Sequence, residues 1–202
     1  MDKAAIKRFA TTARRMLMER VAQKAAQFGI TPMAAEPVEA LSINGKLLSA
    51  AELQQRASLL NQINAKGYEQ VMEEVAYTWF NRFCALRFME VNHYLPSRVR
   101  IFSDENDAFE PQILAEALNL ELPGLEREQV IALKQANDKE GLFKYLLITQ
   151  CNALNPILPG MFQRIADYTE LLFPDHLLQQ LCSAAGTAQN QTAEFLMLIV
   201  GK

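Results

Sequence analysis

A chain of 202 residues, half of them hydrophobic and 21% charged, has the length and mix of a soluble globular domain. No apolar run nears the roughly 18 residues that span a bilayer, and the charged N-terminus lacks a signal peptide's apolar stretch, so no membrane contact is expected. Three scattered cysteines, Cys84, Cys151 and Cys182, form no CxxC pair and no disulfide framework, which points to a reducing cytoplasm.

The net charge of −3 conceals an asymmetry. Residues 1–24 carry seven basic and two acidic side chains, +5, while the rest carry 13 basic and 21 acidic, −8. A basic end on an acidic body steers toward phosphate or an acidic partner surface. The simpler account is the solvated face of an amphipathic helix.

Ile6, Phe9, Ala10, Ala13, Leu17, Val21 and Phe28 recur at three- and four-residue spacing, which predicts a helix over 3–28 stopped by Gly29. Lys3, Lys7 and Arg14 flank its apolar stripe, and Arg8 and Arg15 point away from it. Residues 30–42, rich in Pro and Ala, read as a connector. Asn44-Gly45 suits a tight turn and predicts a small hairpin. Ser49 with Glu52 is a capping box that opens a helix to about Ala65, broken by Gly67.

A helix over Tyr68–Asn92, ending before Pro96, follows. It carries the only tryptophan, Trp79. Met72, Ala76, Trp79, Phe80, Phe83 and Leu86 form one apolar stripe, and Arg87 and Glu90 fall on that stripe three residues apart. Burying either charge alone is costly, so they are expected to pair. The pair suits two roles, a structural lock or an interface with another domain or ligand; the structural one is the expectation.

Val99–Phe102 reads as a short extended piece, and Pro111 opens a brief helix to Leu118. Helices over Glu126–Ala136 and from an Asp138 cap to about Asn152 come next, the latter apolar nearly all round. Two last helices are expected over Pro159–Leu172 and Pro174–Leu181. The fold class is therefore mainly α: a multi-helix domain with at most a small hairpin or short extended segment.

The run EEVAYTWFNRFCALRFMEVNHYLPSRVRIFS at 73–103 resembles the N-terminal region of the PglX (BrxX) family. These are the adenine-specific DNA methyltransferases of BREX phage-defence systems. IKRFATTARR, INGK, KGYEQVMEEVAYTWFNR, FKYLLITQCNALNPILPGMF and DYTELLFPDHLL agree in the same order, so the resemblance covers about residues 3–178. It implies a helical N-terminal region (1–180) that precedes a Rossmann-like catalytic domain using S-adenosylmethionine and a C-terminal target-recognition region. Residues 181–202 are expected to be a divergent tail, out of frame or disordered.

Adenine methylation flips the base and holds its amine with an Asn-Pro-Pro-Tyr motif. The nearest string, Asn155-Pro156-Ile157-Leu158, lacks the second proline and the aromatic ring, and it follows a helix rather than a strand. No GxG or P-loop occurs among the scattered glycines, and His93 and His176 have no partners at metal-ligand spacing. No catalytic, cofactor or metal residue is assigned; S-adenosylmethionine belongs to the full-length family. The expected work is scaffolding, or contact with DNA backbone, other BREX proteins or the rest of the methyltransferase. Lys7, Arg8, Arg14 and Arg15 are the candidate contacts. The alternative is a stand-alone, truncated interaction module.

Overall fold

The computed structural model describes residues 3–106, 108, 110–165 and 167–178, with side chains from residue 10. Among these residues the helices are α1 (Lys3–Gln27), α2 (Ala50–Lys66), α3 (Tyr68–Val91), α4 (Gln112–Ala115), α5 (Arg127–Gln135), α6 (Lys139–Leu154) and α7 (Tyr168–Leu171). One antiparallel hairpin, β1 (Ser42–Ile43) and β2 (Lys46–Leu47), completes a mainly α architecture. No described helix is long and apolar enough to cross a membrane. Among the described residues the contacts form two compact units: one from residues up to 80 and 165–175, the other from residues 81–164 and 176–178.

In the first unit α1 buries Ala13, Leu17, Val21 and Ala25, four residues apart on one stripe. Gly29 ends it at φ +70°, a conformation that disfavours a side chain. A Cβ there would sit 2.7 Å from Glu36 Cγ. Gly29→Ala is therefore expected to cost about 1–2 kcal/mol, read by urea denaturation. The hairpin turns on Asn44 and Gly45, both at positive φ as a type I′ turn requires, and pairs Ile43 with Lys46.

The capping box opens α2 as the sequence predicts. Ser49 Oγ accepts from the Glu52 amide at 3.2 Å, and the Glu52 carboxylate accepts from the Ser49 amide at 2.8 Å. Burial raises the Glu52 pKa, but hydrogen bonds from Lys46 and Ser49 outweigh it and hold the carboxyl below its ordinary range. Further along α2, Arg56 is fully buried and donates to the carbonyls of Phe28, Pro37 and Glu36 at 2.8, 2.8 and 2.6 Å. It ties the connector after α1 to α2. Trp79, from the first half of α3, donates to the Thr169 carbonyl at 3.1 Å and meets Phe173 edge-on at 4.8 Å.

In the second unit α6 is the central helix, with Leu142, Phe143, Leu146, Leu147, Ile148, Cys151 and Leu154 all buried. Asp138 caps it by accepting from the Gly141 amide at 2.8 Å. α4 and α5 both pack on α6. Tyr145 on α6 takes the Glu126 amide at 2.8 Å at the start of α5.

Three expectations require correction. Val99–Phe102 is not extended into a strand; it bends, because Glu90 rather than a neighbouring strand takes the Ile101 and Phe102 amides. The helix expected over Pro159–Leu172 is reduced to Tyr168–Leu171. Side chains take the carbonyls ahead of it: Asn155 that of Phe162 and Arg82 that of Gln163, each at 2.8 Å. Asp167 then caps α7 afresh through the Thr169 amide. The helix from Pro111 stops at Ala115 instead of Leu118. The last expected helix, Pro174–Leu181, falls partly outside the described residues, as does the 181–202 tail.

Candidate functional site

The basic first helix is the first candidate. The side chains of Lys7 and Arg8 lie outside the described residues. Arg14 forms an ion pair with Glu73, and Arg15 lies 3.9 Å from Glu19, one turn along α1. Their side chains remain 53% and 68% exposed. Lys24 is more committed: it bonds Asp175 at 2.6 Å and sits 5.7 Å over the Phe28 ring. Burial lowers the pKa of Arg20, although Glu19 beside it acts the other way. The described positive charges of α1 thus stand beside carboxylates of the same unit. Arg14 and Arg15 are the ones whose exposure leaves room for a phosphate.

The second candidate is the charged pair on α3. Arg87 and Glu90 are both buried and pair directly. Glu90 also accepts from the amides of Ile101 at 2.7 Å and Phe102 at 2.8 Å, and from the Ser103 hydroxyl at 2.7 Å. Arg87 donates to that hydroxyl as well, at 3.0 Å. Both Glu90 oxygens are occupied by donors from within the same unit. This arrangement fixes the turn at 101–103 and brings the Phe102 ring to 6.2 Å from Phe83 and 6.5 Å from Phe143.

Reading the sequence missed the opposite face of α3. Arg82, Arg87 and Glu90 are the charged residues between Asn81 and Asn92, and all three point inward. Phe88 and Tyr94 are each 61% exposed and Val91 is 47% exposed. The available signal was the position of the charges: once they occupy the apolar stripe, the outward stripe is left uncharged.

The remaining chemistry is sparse. Burial pushes the Cys84 thiol up to about 11. It pushes Cys151 up to about 12, although nearby Arg82 pulls the other way. Neither thiol is poised as a nucleophile at neutral pH. Among the described residues no cluster of His, Cys, Asp and Glu could hold a metal. A cavity of about 300 Å³ lies among Leu114, Leu133, Asn137 and Leu142, and Asp138 at its edge is committed to the α6 cap. Asn155 cannot serve a base amine as placed, since its side chain closes the 155–162 loop onto the Phe162 carbonyl. The glycines of the connecting turns are single, and the described strands are only the two of the hairpin. The described residues do not fit S-adenosylmethionine.

The chain is 36% identical over 197 residues to an adenine-specific methyltransferase PglX of Lacticaseibacillus casei (strain Zhang), a match covering 86% of this chain and 16% of the relative. It is 39% identical over 132 residues to an adenine-specific methyltransferase BrxX of Escherichia coli O9:H4 (strain HS), covering 62% of this chain and 11% of the relative. The chain thus spans about a sixth of the first relative's length and a smaller share of the second's. No family model matches it.

Proposed function

We propose that this chain, which belongs to the PglX/BrxX family, works as a non-catalytic helical region of a BREX-type adenine-specific DNA methyltransferase. The observation that carries the reading is the match itself: 86% of the chain aligns to only 16% of a methyltransferase. In this reading the helical region scaffolds or contacts another part of the defence system in the cytoplasm, and S-adenosylmethionine binds elsewhere in the full-length protein. The outer face of α3 between Asn81 and Asn92, which lacks charge, supports a protein contact. Equilibrium binding with labelled S-adenosylmethionine tests the non-catalytic claim. Stoichiometric binding to the 202-residue chain would overturn it.

Contact with DNA backbone is the second reading, favoured by the exposure of Arg14 and Arg15. If those guanidinium groups meet phosphates, duplex affinity falls steeply with salt. The Arg14→Ala/Arg15→Ala double variant then lowers the slope of log K against log salt by about 2. Anisotropy titrations at several salt concentrations measure this. An unchanged slope, or no binding at low salt, removes DNA contact and leaves the protein-contact reading.

A further inference from the structure

Two depressions of the second unit open side by side on α4. The first is the cavity of about 300 Å³ among Leu114, Leu133 and Leu142. The second, of about 600 Å³, runs from Leu114 and Ala115 past Pro111 to Asp104, Glu105 and Glu110. Leu114, Ala115 and Lys139 line both, so the two form one groove with an aliphatic end and an acidic end. Each has the size of a ligand pocket, roughly 300–1,000 Å³.

The carboxylates of the acidic end differ in their commitments. Asp104 shapes its own loop, accepting from the amides of Asn106 and Ala108 at 2.8 Å each. Glu105 and Glu110 are exposed, and among the described residues neither forms an ion pair. Glu105 takes only a long bond from the Gln112 side chain, at 3.4 Å. The charge extends past the groove: residues 104–128 hold eight acidic side chains and one basic, a net of −7. Such a wall repels a nucleic-acid backbone and attracts lysine and arginine. At the aliphatic end Lys134 and Lys139 stand on the rim, and Asp138 between them in sequence is committed to the α6 cap. Positive charge is therefore accepted at one end of the groove and repelled at the other.

We propose that this groove docks a basic segment of a protein partner, with an aliphatic side chain in the leucine cavity and lysine or arginine beside Glu105 and Glu110. Every wall of the groove belongs to the second unit, so the docking stands whether or not the chain is part of a methyltransferase.

The test uses the full chain and two labelled peptides, one with leucines before lysines and one with the order reversed. Fluorescence anisotropy is expected to show one of them binding with a dissociation constant of about 10–100 µM. Replacing its leucines by serine, or its lysines by glutamine, weakens binding at least about five-fold. On the protein, Ala115→Trp narrows both depressions and Glu105→Gln/Glu110→Gln removes the acidic end. Each is expected to weaken binding at least about five-fold with an unchanged far-UV spectrum. Glu121→Gln/Glu128→Gln removes the same charge outside the groove and is expected to change the constant by less than about two-fold. Failure of both peptides overturns the proposal. An equal loss in Glu121→Gln/Glu128→Gln also overturns it, since the attraction is then diffuse. Displacement of the peptide by duplex DNA overturns it in favour of a nucleic acid, and a dimer abolished by Ala115→Trp overturns it in favour of a second copy. Residues 179–202 follow Leu178, which lines the groove. A disulfide formed within one chain between Ala115→Cys and Cys182 would give the groove to that segment, which again overturns it.

Discussion

Replacing Glu90 by alanine is expected to lower the unfolding free energy by about 3–5 kcal/mol, the usual result of stripping one partner from a buried ion pair. The loss has two parts. Arg87 loses its carboxylate partner in a buried site. The amides of Ile101 and Phe102 and the Ser103 hydroxyl lose their acceptor at the same time. For a domain whose whole stability is about 5–15 kcal/mol, that is enough to leave a substantial unfolded fraction.

The companion variants separate the two parts. Arg87→Met keeps the stem volume, removes the charge and leaves the Glu90 carboxylate with its bonds to the two amides and Ser103. Glu90→Gln keeps one carbonyl oxygen but turns an amide N–H₂ toward groups that are themselves donors. It should cost less than alanine and more than a surface change. The double variant Arg87→Met/Glu90→Leu should lose clearly less than the sum of its single changes, because neither charge is then orphaned. Urea denaturation of these variants and of Glu90→Leu alone measures the coupling. Additive losses would show that the pair does not act as a unit. A stable Glu90→Ala chain that fails only in partner binding would move the pair from structure to interface.

What the sequence discloses is governed by the range of the interactions involved. The Ser49–Glu52 box, the Asn44-Gly45 turn, the Gly67 break and the Asp138 cap are settled within four residues, and all of them stand as read. The failures fall where a side chain far along the chain takes a backbone group. Glu90 diverts the amides of 101 and 102, and Arg82 takes the Gln163 carbonyl across 81 positions. No periodicity announces such bonds. The same holds for the outer face of α3. Periodicity identified which stripe of that helix is apolar, but the face that stays outside is apolar too. The deciding fact was that three charges had gone in.

Arg56 is the other buried charge whose loss should be severe, for a reason different from that at Glu90. It has no carboxylate bonded to it in the interior; its guanidinium is satisfied by the carbonyls of Phe28, Glu36 and Pro37. Burial lowers its pKa, opposed by Glu36, yet an arginine keeps its proton across any working pH. The planar fork therefore holds the turn after α1 at Phe28 and two points of the connector at once. Arg56→Ala is expected to cost about 2–4 kcal/mol, from charge-assisted bonds lost and from the vacated volume. Arg56→Lys carries the same charge on a compact ammonium that cannot span three separate carbonyls, so it should recover only part of that loss. The damage should also be local. Residues 31–41 are mostly exposed and held to α2 by this one side chain's bonds at 36 and 37. Limited proteolysis within 31–41 is thus expected to quicken in Arg56→Ala before the rest of the chain is cut, with Arg56→Lys in between. Uniform cleavage along the chain would instead mean that Arg56 supports the whole unit, and native-like resistance would mean that the connector is held by its own turn.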